Sequence, residues 1–330
     1  MAAQSDFLLA IHQIASERGI ETEDVINAVN EALVAAYKKD YDYNEEDIVE
    51  AKISEEDGKF IIIVNGKDST PKDFGRIASQ AAKQVILQKV SETERETLLS
   101  QIEKRIGTLE MGIVQRFDGQ NVVIEVGKIS AIMPQQEQIY GELLRPGMKI
   151  KVYLKEIQEF PLGGRKLVVS RSSDLFIKAL FENEVPEIST GTVEIKDIAR
   201  EAGSRTKVAV FSDTQGVDPI GACVGQRGMR IIAMTNELGS EKIDIIQWDE
   251  DQEKYIKNAL SPAKPIDISF DEQEKHVTVM VSEDQLSLAI GKDGQNVRLA
   301  AKLTGWNIDI AADESVPKEE VLVPEEKSEE

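Results

Sequence analysis

Residues 225–228 read GQRG, and residues 291–294, 66 positions further along the chain, read GKDG. The segments around these two tetrads also correspond in pairs. The pairs are VAVF at 208–211 with VTVM at 277–280, and IDI at 243–245 with IDI at 308–310. A period of this length indicates that one structural unit occurs twice in tandem.

Each copy predicts the same order of elements, helix–strand–strand–helix–helix–strand. Alternating apolar segments predict the paired strands, and the tetrad lies between the last two helices. The opening helices are 175–181 and 252–260, and the paired strands are 193–198 with 208–211 and 266–270 with 277–281. A Gly-x-x-Gly turn between two helices is typical of a KH domain. We therefore expect two KH modules of the αββααβ type.

The two tetrads are the predicted centres of an RNA-binding site. Glycine accepts backbone angles that side chains forbid, and the following helix offers free N–H groups and a positive dipole end to a phosphate. KH domains use this turn to clamp about four nucleotides of single-stranded RNA. One tetrad alone indicates only a bend, whereas two in matched contexts favour RNA binding over a purely structural repeat. The predicted contacts in the modules are Arg200, Arg205, Lys207, Gly225, Gln226, Arg227, Gly228, Arg230, Gly291, Lys292, Asp293, Gly294, Gln295, Asn296 and Arg298.

Residues 107–172 predict a small closed sheet. Apolar residues alternate with polar ones over 122–126 and again over 149–155, and glycines and a proline separate the segments. Several short strands with turns at this spacing favour a five-stranded barrel of the OB type. Arg116 and Phe117 end the first strand, and we expect them to hold a phosphate and stack on a base. The alternative is that Phe117 fills the barrel core.

Residues 1–106 predict a small α+β unit followed by a long helix. Apolar spacing predicts two helices within 7–39, and residues 48–53 and 59–64 predict a hairpin. The long helix follows Pro71, with a break expected near Ser91, and is either an arm to the next unit or an ordinary packed helix. Its predicted apolar stripe is Ile77, Ala81, Val85, Leu98, Ile102 and Ile106.

The formal net charge of −21 is unevenly distributed along the 330 residues. Residues 1–106 carry 13 basic and 21 acidic groups, and residues 312–330 carry 2 and 8, whereas residues 107–172 carry 9 basic and 7 acidic groups. We expect 312–330 to be a disordered acidic tail. Basic contact surfaces can exist on such a protein, but RNA binding should then be strongly salt-dependent.

Nothing in the sequence indicates an enzyme, a cofactor or a metal site. His12 and His276 lack ligand spacing, and there is no nucleotide-binding loop of the GxxxxGK[ST] type. The single Cys223 is expected to be a buried filler and suits a reducing cytoplasm. Trp248 and Trp306 are expected to pack between the modules. No signal peptide or membrane-spanning run is evident, so we expect a cytoplasmic location.

Seven segments resemble the NusA family of bacterial transcription elongation, termination and antitermination factors. They are DFGRIA at 73–78, GIVQR at 112–116, EVPEI at 184–188, AREAGSRTKVAV at 199–210, DPIGACVG at 218–225, EKIDI at 241–245 and QLSLAIG at 285–291. The resemblance implies domains at 1–106 (RNA polymerase-binding), 107–172 (OB barrel of the S-one type), 173–247 (first KH) and 248–311 (second KH), before the 312–330 tail.

The same resemblance implies a monomer that binds the RNA polymerase core, nascent single-stranded RNA and other elongation or antitermination factors. It would modulate pausing, termination and antitermination. The sequence departs from the family at 65–70, which is shorter than usual, and at Asp293, whose carboxylate would repel a phosphate. Two rival functions are a ribosome-associated KH protein, which should be basic, and an exoribonuclease fragment, in which KH precedes the barrel.

Overall fold

A computed structural model of the chain describes residues 9, 11–13, 15, 16, 20–41, 43, 44, 46–54, 59–160 and 164–313. The chain divides into two units, Met1–Lys104 and Arg105–Glu330. The expected hairpin loop at 55–58, the expected tail from 314 onward and part of the expected first helix lie outside the described residues.

In the first unit two long helices pack on a small antiparallel sheet, and the described residues 9, 11–13, 15 and 16 are also helical. Helix α1 spans Thr22–Asp40, strands β1 (Val49–Ile53), β2 (Phe60–Val64) and β3 (Lys67–Asp68) follow, and helix α2 spans Phe74–Glu103. The apolar face of α1 repeats every four residues and is buried against α2 and the sheet. Its members are Val25, Val29, Leu33 and Tyr37. The predicted second helix and hairpin are thus confirmed, and β3 is an addition.

Helix α2 is continuous, so the expected break near Ser91 is wrong. No glycine or proline occurs between Gly75 and Gly107, and Gln88 donates a hydrogen bond to Glu92 across the suspected position. The expected apolar stripe was also out of phase by one residue over most of its length. The helix begins at Phe74, and the fourfold spacing from there selects the buried residues Phe74, Ala78, Ala82 and Ile86.

The second unit begins with a closed five-stranded barrel, as predicted. Its strands are β4 (Leu109–Asp118), β5 (Asn121–Val126), β6 (Ile129–Met133), β7 (Lys149–Phe160) and β8 (Gly164–Ser170). They close in the order β4-β5-β6-β8-β7, and only β6 and β8 pair in parallel. The expected inward residues are all buried. They are Val122, Ile124, Val126, Ile150, Val152 and Leu154.

The two KH modules follow with identical topology. The first contains α3 (Asp174–Glu184), α4 (Pro186–Ser189), β9 (Glu194–Glu201), β10 (Arg205–Phe211), α5 (Pro219–Val224), α6 (Met229–Leu238) and β11 (Lys242–Gln247). The second contains α7 (Gln252–Ala259), β12 (Asp267–Asp271), β13 (His276–Ser282), α8 (Leu286–Ile290), α9 (Gln295–Thr304) and β14 (Asn307–Asp313). In each sheet the central strand pairs antiparallel with the first strand and parallel with the last. The expected αββααβ order is confirmed, apart from the extra α4.

The two modules share one hydrophobic core. Ala199, Ala209 and Ile246 of the first sheet are buried together with residues of α7 and α9. Trp248 lies between Phe211 of the first module (ring centroids 5.2 Å apart) and Tyr255 of the second (6.3 Å). The prediction that tryptophan packs between the modules therefore holds for Trp248. Trp306 instead packs on Phe270 within the second module.

An arginine joins the barrel to the first KH module. The side chain of Arg171 is 1% exposed and donates to both carboxylate oxygens of Glu142, at 3.0 and 2.6 Å. It also donates to the Glu237 carboxylate of α6 at 2.7 Å and to the Lys151 carbonyl of β7. A buried cation with this many acceptors fixes the relative position of the elements that supply them.

Barrel, first module and second module meet at the turn around Gly203, between β9 and β10. A Cβ placed on Gly203 would lie 2.8 Å from both the Ile139 side chain and the Tyr140 carbonyl oxygen of the barrel. Gly203 also has a φ of +82°, a conformation that disfavours other residues. Two independent constraints therefore require glycine here.

The first prediction compares two glycines with similar backbone angles. Gly216 has a φ of +86° but open space around it, so Gly216→Ala should cost only the backbone strain of about 1–2 kcal/mol. We expect Gly203→Ala to cost about 1–3 kcal/mol more, because the new methyl group overlaps the barrel loop. Urea denaturation of both variants measures the difference. Equal losses would mean that the barrel does not constrain this turn.

Candidate nucleic-acid interface

The two glycine corners have the same backbone geometry. Gly225 has φ 72° and ψ 175°, and Gly291 has φ 75° and ψ 174°, values that are essentially confined to glycine. A Cβ at Gly225 would lie 2.7 Å from the Arg230 side chain, and one at Gly291 would lie 2.8 Å from the Asn296 backbone nitrogen. Each corner opens a ten-residue helix, α6 or α9, whose first N–H groups lack helical acceptors.

The first corner presents one cation to solvent. Gln226 and Arg227 are exposed, and Arg227 adopts a positive φ of 52° in the middle of the turn. Arg230 is directed inward, because it donates to the Glu187 carboxylate at 2.9 Å and to the Ala222 carbonyl. Arg230 therefore holds the corner in shape, while Arg227 remains available to a phosphate.

The second corner is tied to the first module. Both carboxylate oxygens of Glu201, at the end of β9, accept hydrogen bonds from α9, at 2.6 Å each from Arg298 Nε and Gln295 Nε2. Arg298 also donates to the Asp293 carbonyl at 3.0 Å. The hydrogen bond from Arg298 lowers the pKa of Glu201, and the same bond raises the pKa of Arg298. The charge of Arg298 is thus already largely neutralised by the first module.

Asn296 is buried beneath the second corner. It is 3% exposed, and its amide nitrogen donates to the Leu260 carbonyl at 2.9 Å and to the Leu288 carbonyl at 3.1 Å. Among the residues described, its Oδ1 has no hydrogen-bond partner. The exposed members of this corner are Lys292 and Asp293. The expectation that Asn296 contacts RNA does not fit this geometry.

Three cations expected to bind RNA are engaged inside the protein. The side chain of Arg200 is 1% exposed and donates to both oxygens of the fully buried Glu241. Lys207 is also fully buried, and its Nζ donates to the Ser261 carbonyl at 2.9 Å. Arg205 is partly exposed and forms a two-point pair with Asp244. An RNA-contact role for Arg200 and Lys207 conflicts with this burial. Arg200 lies on the sheet face that α3 of the same module covers, where it contacts the Phe176 ring and the Ser173 carbonyl. Lys207 lies on the opposite face, which the second module covers.

The barrel exposes the pair predicted for base stacking. Arg116 is exposed and Phe117 is 50% exposed, so Phe117 does not fill the barrel core. The register of β4 against β5 shifts between Val114 and Arg116. Such a bulge re-aims the side chains beyond it. Stacking on Phe117 stays a prediction that this exposure permits.

Sequence reasoning missed three exposed apolar side chains near the candidate site. Met229 and Ile232 on α6 are 64% and 54% exposed, directly after the first corner. Tyr140, in the barrel loop that touches Gly203, is 94% exposed. Comparison of the two copies could have found the first two, because the equivalent positions 66 residues later are polar, Gln295 and Arg298.

The remaining reactive side chains have structural surroundings. Cys223 is fully buried, and burial raises the pKa of its thiol to about 12, so it is a filler as expected. His276 lies on β13 and is hydrogen-bonded to Asp309 at 2.9 Å near the surface. None of the helices that the structure describes combines the length and apolar composition that a membrane crossing requires.

Comparison with known proteins gives one consistent family. Residues 171–248 match the NusA-like first KH domain, residues 252–318 the NusA-like second KH domain, and residues 6–67 and 63–96 the NusA N-terminal domain. The chain is 43% identical over 339 residues to the transcription termination/antitermination protein NusA of Bacillus subtilis. The matched region covers 94% of this chain and 91% of that protein. It is 38% identical over 358 residues to the protein of the same name from Thermus thermophilus, with 96% and 92% covered.

The second prediction concerns Lys207. Burial lowers the pKa of Lys207 from 10.5 to about 8, so between these values the unfolded chain binds a proton that the folded chain has released. Stability should therefore rise with pH in this window. Relative to Lys207→Met, the free energy of unfolding of the natural protein should increase by about 1 kcal/mol per pH unit from about pH 8 to 10.

Urea denaturation at a series of pH values measures this difference. A difference between the natural protein and Lys207→Met that does not change with pH would mean that the Lys207 ammonium is not destabilised by its burial.

Proposed function

The chain belongs to the NusA family, and from that membership we propose how its parts act on a transcript that is being made. It is a transcription termination/antitermination protein with two RNA-binding KH domains. In our proposal the glycine corners and the barrel hold unpaired RNA, and the first unit holds RNA polymerase. The observation that carries this proposal is the identical, glycine-requiring geometry of two corners that each open a ten-residue helix.

The first corner is the stronger RNA contact in this proposal. A phosphate at this turn meets the first N–H groups of α6 and the free cation of Arg227. The exposed faces of Met229 and Ile232 lie beside it and suit the flat apolar surface of a base. In this proposal, neighbouring residues at the N-terminus of α6 contact both the phosphate and the base.

The second corner should bind RNA more weakly. Lys292 is balanced by Asp293 in the same turn, and Arg298 is balanced by Glu201. The local formal charge is thus close to zero, and the N–H groups of α9 carry most of the attraction. Arg116 and Phe117 of the barrel add a third contact, in which an aromatic ring and a cation act together.

The first unit is the proposed contact for RNA polymerase. A cleft between α1 and β1, with a volume of about 480 Å³, is lined by Asn30, Glu31, Val34 and residues 49–52. Glu31 and Glu50 in its lining are exposed, so side chains of another protein can reach the cleft. We place the polymerase contact at this cleft.

Binding to the polymerase compensates for weak RNA contacts. A tethered RNA site experiences an effective RNA concentration of about 1 mM, so each corner needs little intrinsic affinity. We further propose that the chain acts as a cytoplasmic monomer and accepts other elongation or antitermination factors. The rival role as a ribosome-associated protein is not favoured, because relatives that match nearly the whole chain are transcription termination/antitermination proteins.

The third prediction tests the first corner. Arg227→Glu should weaken binding of a single-stranded oligoribonucleotide at least tenfold. It should also lower the slope of log affinity against log salt by the equivalent of about one phosphate contact. The melting temperature should not change, because Arg227 is exposed and makes no ion pair within the described residues. Fluorescence anisotropy at several salt concentrations measures both quantities.

The control for Arg227→Glu is Lys178→Glu, an equal charge reversal on the exposed face of α3 in the same module. It should alter RNA affinity far less. If both variants lose affinity equally, the effect is that of overall charge, and the first corner is not the site.

The fourth prediction tests the first unit. Residues 1–106 alone should bind RNA polymerase without RNA, and in the full chain Glu31→Arg at the cleft should weaken that binding while leaving RNA affinity unchanged. Glu96→Arg, on the exposed surface of α2, is the matched control. Surface plasmon resonance with immobilised polymerase core gives the polymerase affinities, and fluorescence anisotropy gives the RNA affinity. Failure of residues 1–106 to bind would assign the polymerase contact elsewhere.

A further inference from the structure

One loop of the barrel spans the distance between two of the proposed RNA contacts. The junction loop, residues 139–148, connects β6 to β7. At its start, Ile139 and the Tyr140 carbonyl pack against Gly203. The next residue, Ser204, accepts a hydrogen bond of 2.7 Å from Gln295, the first residue of α9 after the second corner. The start of the loop therefore lies beside the second corner.

The end of the same loop reaches the other contact. Gly147 donates to the Val114 carbonyl at 2.7 Å, and Val114 donates to the Met148 carbonyl at 2.9 Å. Val114 precedes Arg116 and Phe117 by two and three residues on β4. The loop thus runs from the second corner to the barrel residues that are proposed to hold a phosphate and a base.

The junction loop is fixed in place even though its surface is exposed. Ile139 is 5% exposed in the core that the barrel shares with the first module, and the carboxylate of Glu142 accepts hydrogen bonds from Arg171 Nε and Nη2. Tyr140, between these two anchors, is 94% exposed, and Leu143, directly after Glu142, is 81% exposed. An aromatic ring held in water by a well-anchored backbone is preorganised for a ligand, since little ordering remains to be done on binding.

The charge around the loop favours a polyanion. The carboxylates of Glu137 and Glu142 are paired with Lys155 and Arg171. Arg145 and Lys149 are exposed, and neither has an ion-pair partner among the described residues. The loop is therefore a locally cationic surface on a chain whose net charge is −21. An acidic protein segment could share the charge preference, but the position between two RNA contacts favours RNA.

We propose that the junction loop is a further contact for single-stranded RNA, in which Tyr140 stacks on one nucleobase and Arg145 meets a neighbouring phosphate. This inference rests on the proposed function, because it joins the second corner to the barrel contact. Stacking on an aromatic ring tolerates any base, so the ligand is unpaired RNA of mixed sequence. The barrel and the second module then contact one continuous strand.

The test uses the full chain and two lengths of unstructured oligoribonucleotide, one of about four nucleotides, which fills a single corner, and one of about twenty. Tyr140→Ala should weaken binding of the long RNA by about tenfold and leave the short RNA unaffected. Tyr140→Phe should keep the natural affinity, because the ring is retained. Arg145→Gln should lower the slope of log affinity against log salt by about 0.7 for the long RNA.

The outcomes separate this inference from the function on which it rests. If Tyr140→Ala binds the long RNA as tightly as the natural protein while Arg227→Glu has lost affinity, the junction loop is not an RNA contact and the corners still are. If Tyr140→Ala reduces binding to RNA polymerase but not to RNA, the loop contacts protein and the inference is overturned. If the natural protein binds neither oligonucleotide, both the inference and the proposed function fail.

Discussion

A single buried carboxylate holds the RNA-binding half of the molecule together. Glu241 is fully buried and accepts hydrogen bonds from Arg200 Nε and Nη2 at 2.8 and 2.9 Å, from Thr206 Oγ1 and from the Gly203 nitrogen at 2.8 Å. Burial of an ion pair costs several kcal/mol of desolvation, and this cost is offset only when the remaining hydrogen-bonding groups of the pair are satisfied. The hydrogen bonds from Thr206 and Gly203 satisfy the carboxylate of Glu241 in this way. Arg200 also donates to the Ser173 carbonyl at 2.7 Å, before α3. The pair therefore fixes the Gly203 turn against the sheet and the first helix.

The Gly203 turn also contacts both the barrel and the second KH module. The barrel loop packs on Gly203 from one side, and α9 of the second module binds Glu201 and Ser204 from the other. The two glycine corners and the barrel, which carries Arg116 and Phe117, are therefore held in fixed positions relative to one another. A polar network that is satisfied throughout specifies geometry more than it adds stability.

Much of the fold could be predicted from local pattern, and much less of the site. Repeated segments and strand alternation were sufficient for two KH modules and a five-stranded barrel, because those signals depend on near neighbours in the chain. The burial of Lys207 depends on the second module covering one face of the first sheet, and the burial of Arg200 depends on Glu241 and α3 on the other face. Both are contacts between residues far apart in sequence. Their cationic side chains therefore looked available. The phase of α2 was misread because its stripe is set by Phe74 at the helix start, and Tyr140 carries no sequence signal of exposure.

The two KH modules have the same backbone geometry at the glycine corner, but different side chains hold that corner in place. Where Arg230 holds the first corner, the equivalent residue 66 positions later is Asn296, whose amide holds the second by three carbonyl acceptors. Because barrel and modules are locked by Arg171 and the Gly203 turn, a bound strand must follow their fixed spacing in an extended form. If RNA follows the proposed path, a transcript that has already folded into a duplex stem cannot occupy it. The proposed arrangement would therefore bind RNA before it pairs with itself, and a growing stem would compete with the protein for the same nucleotides.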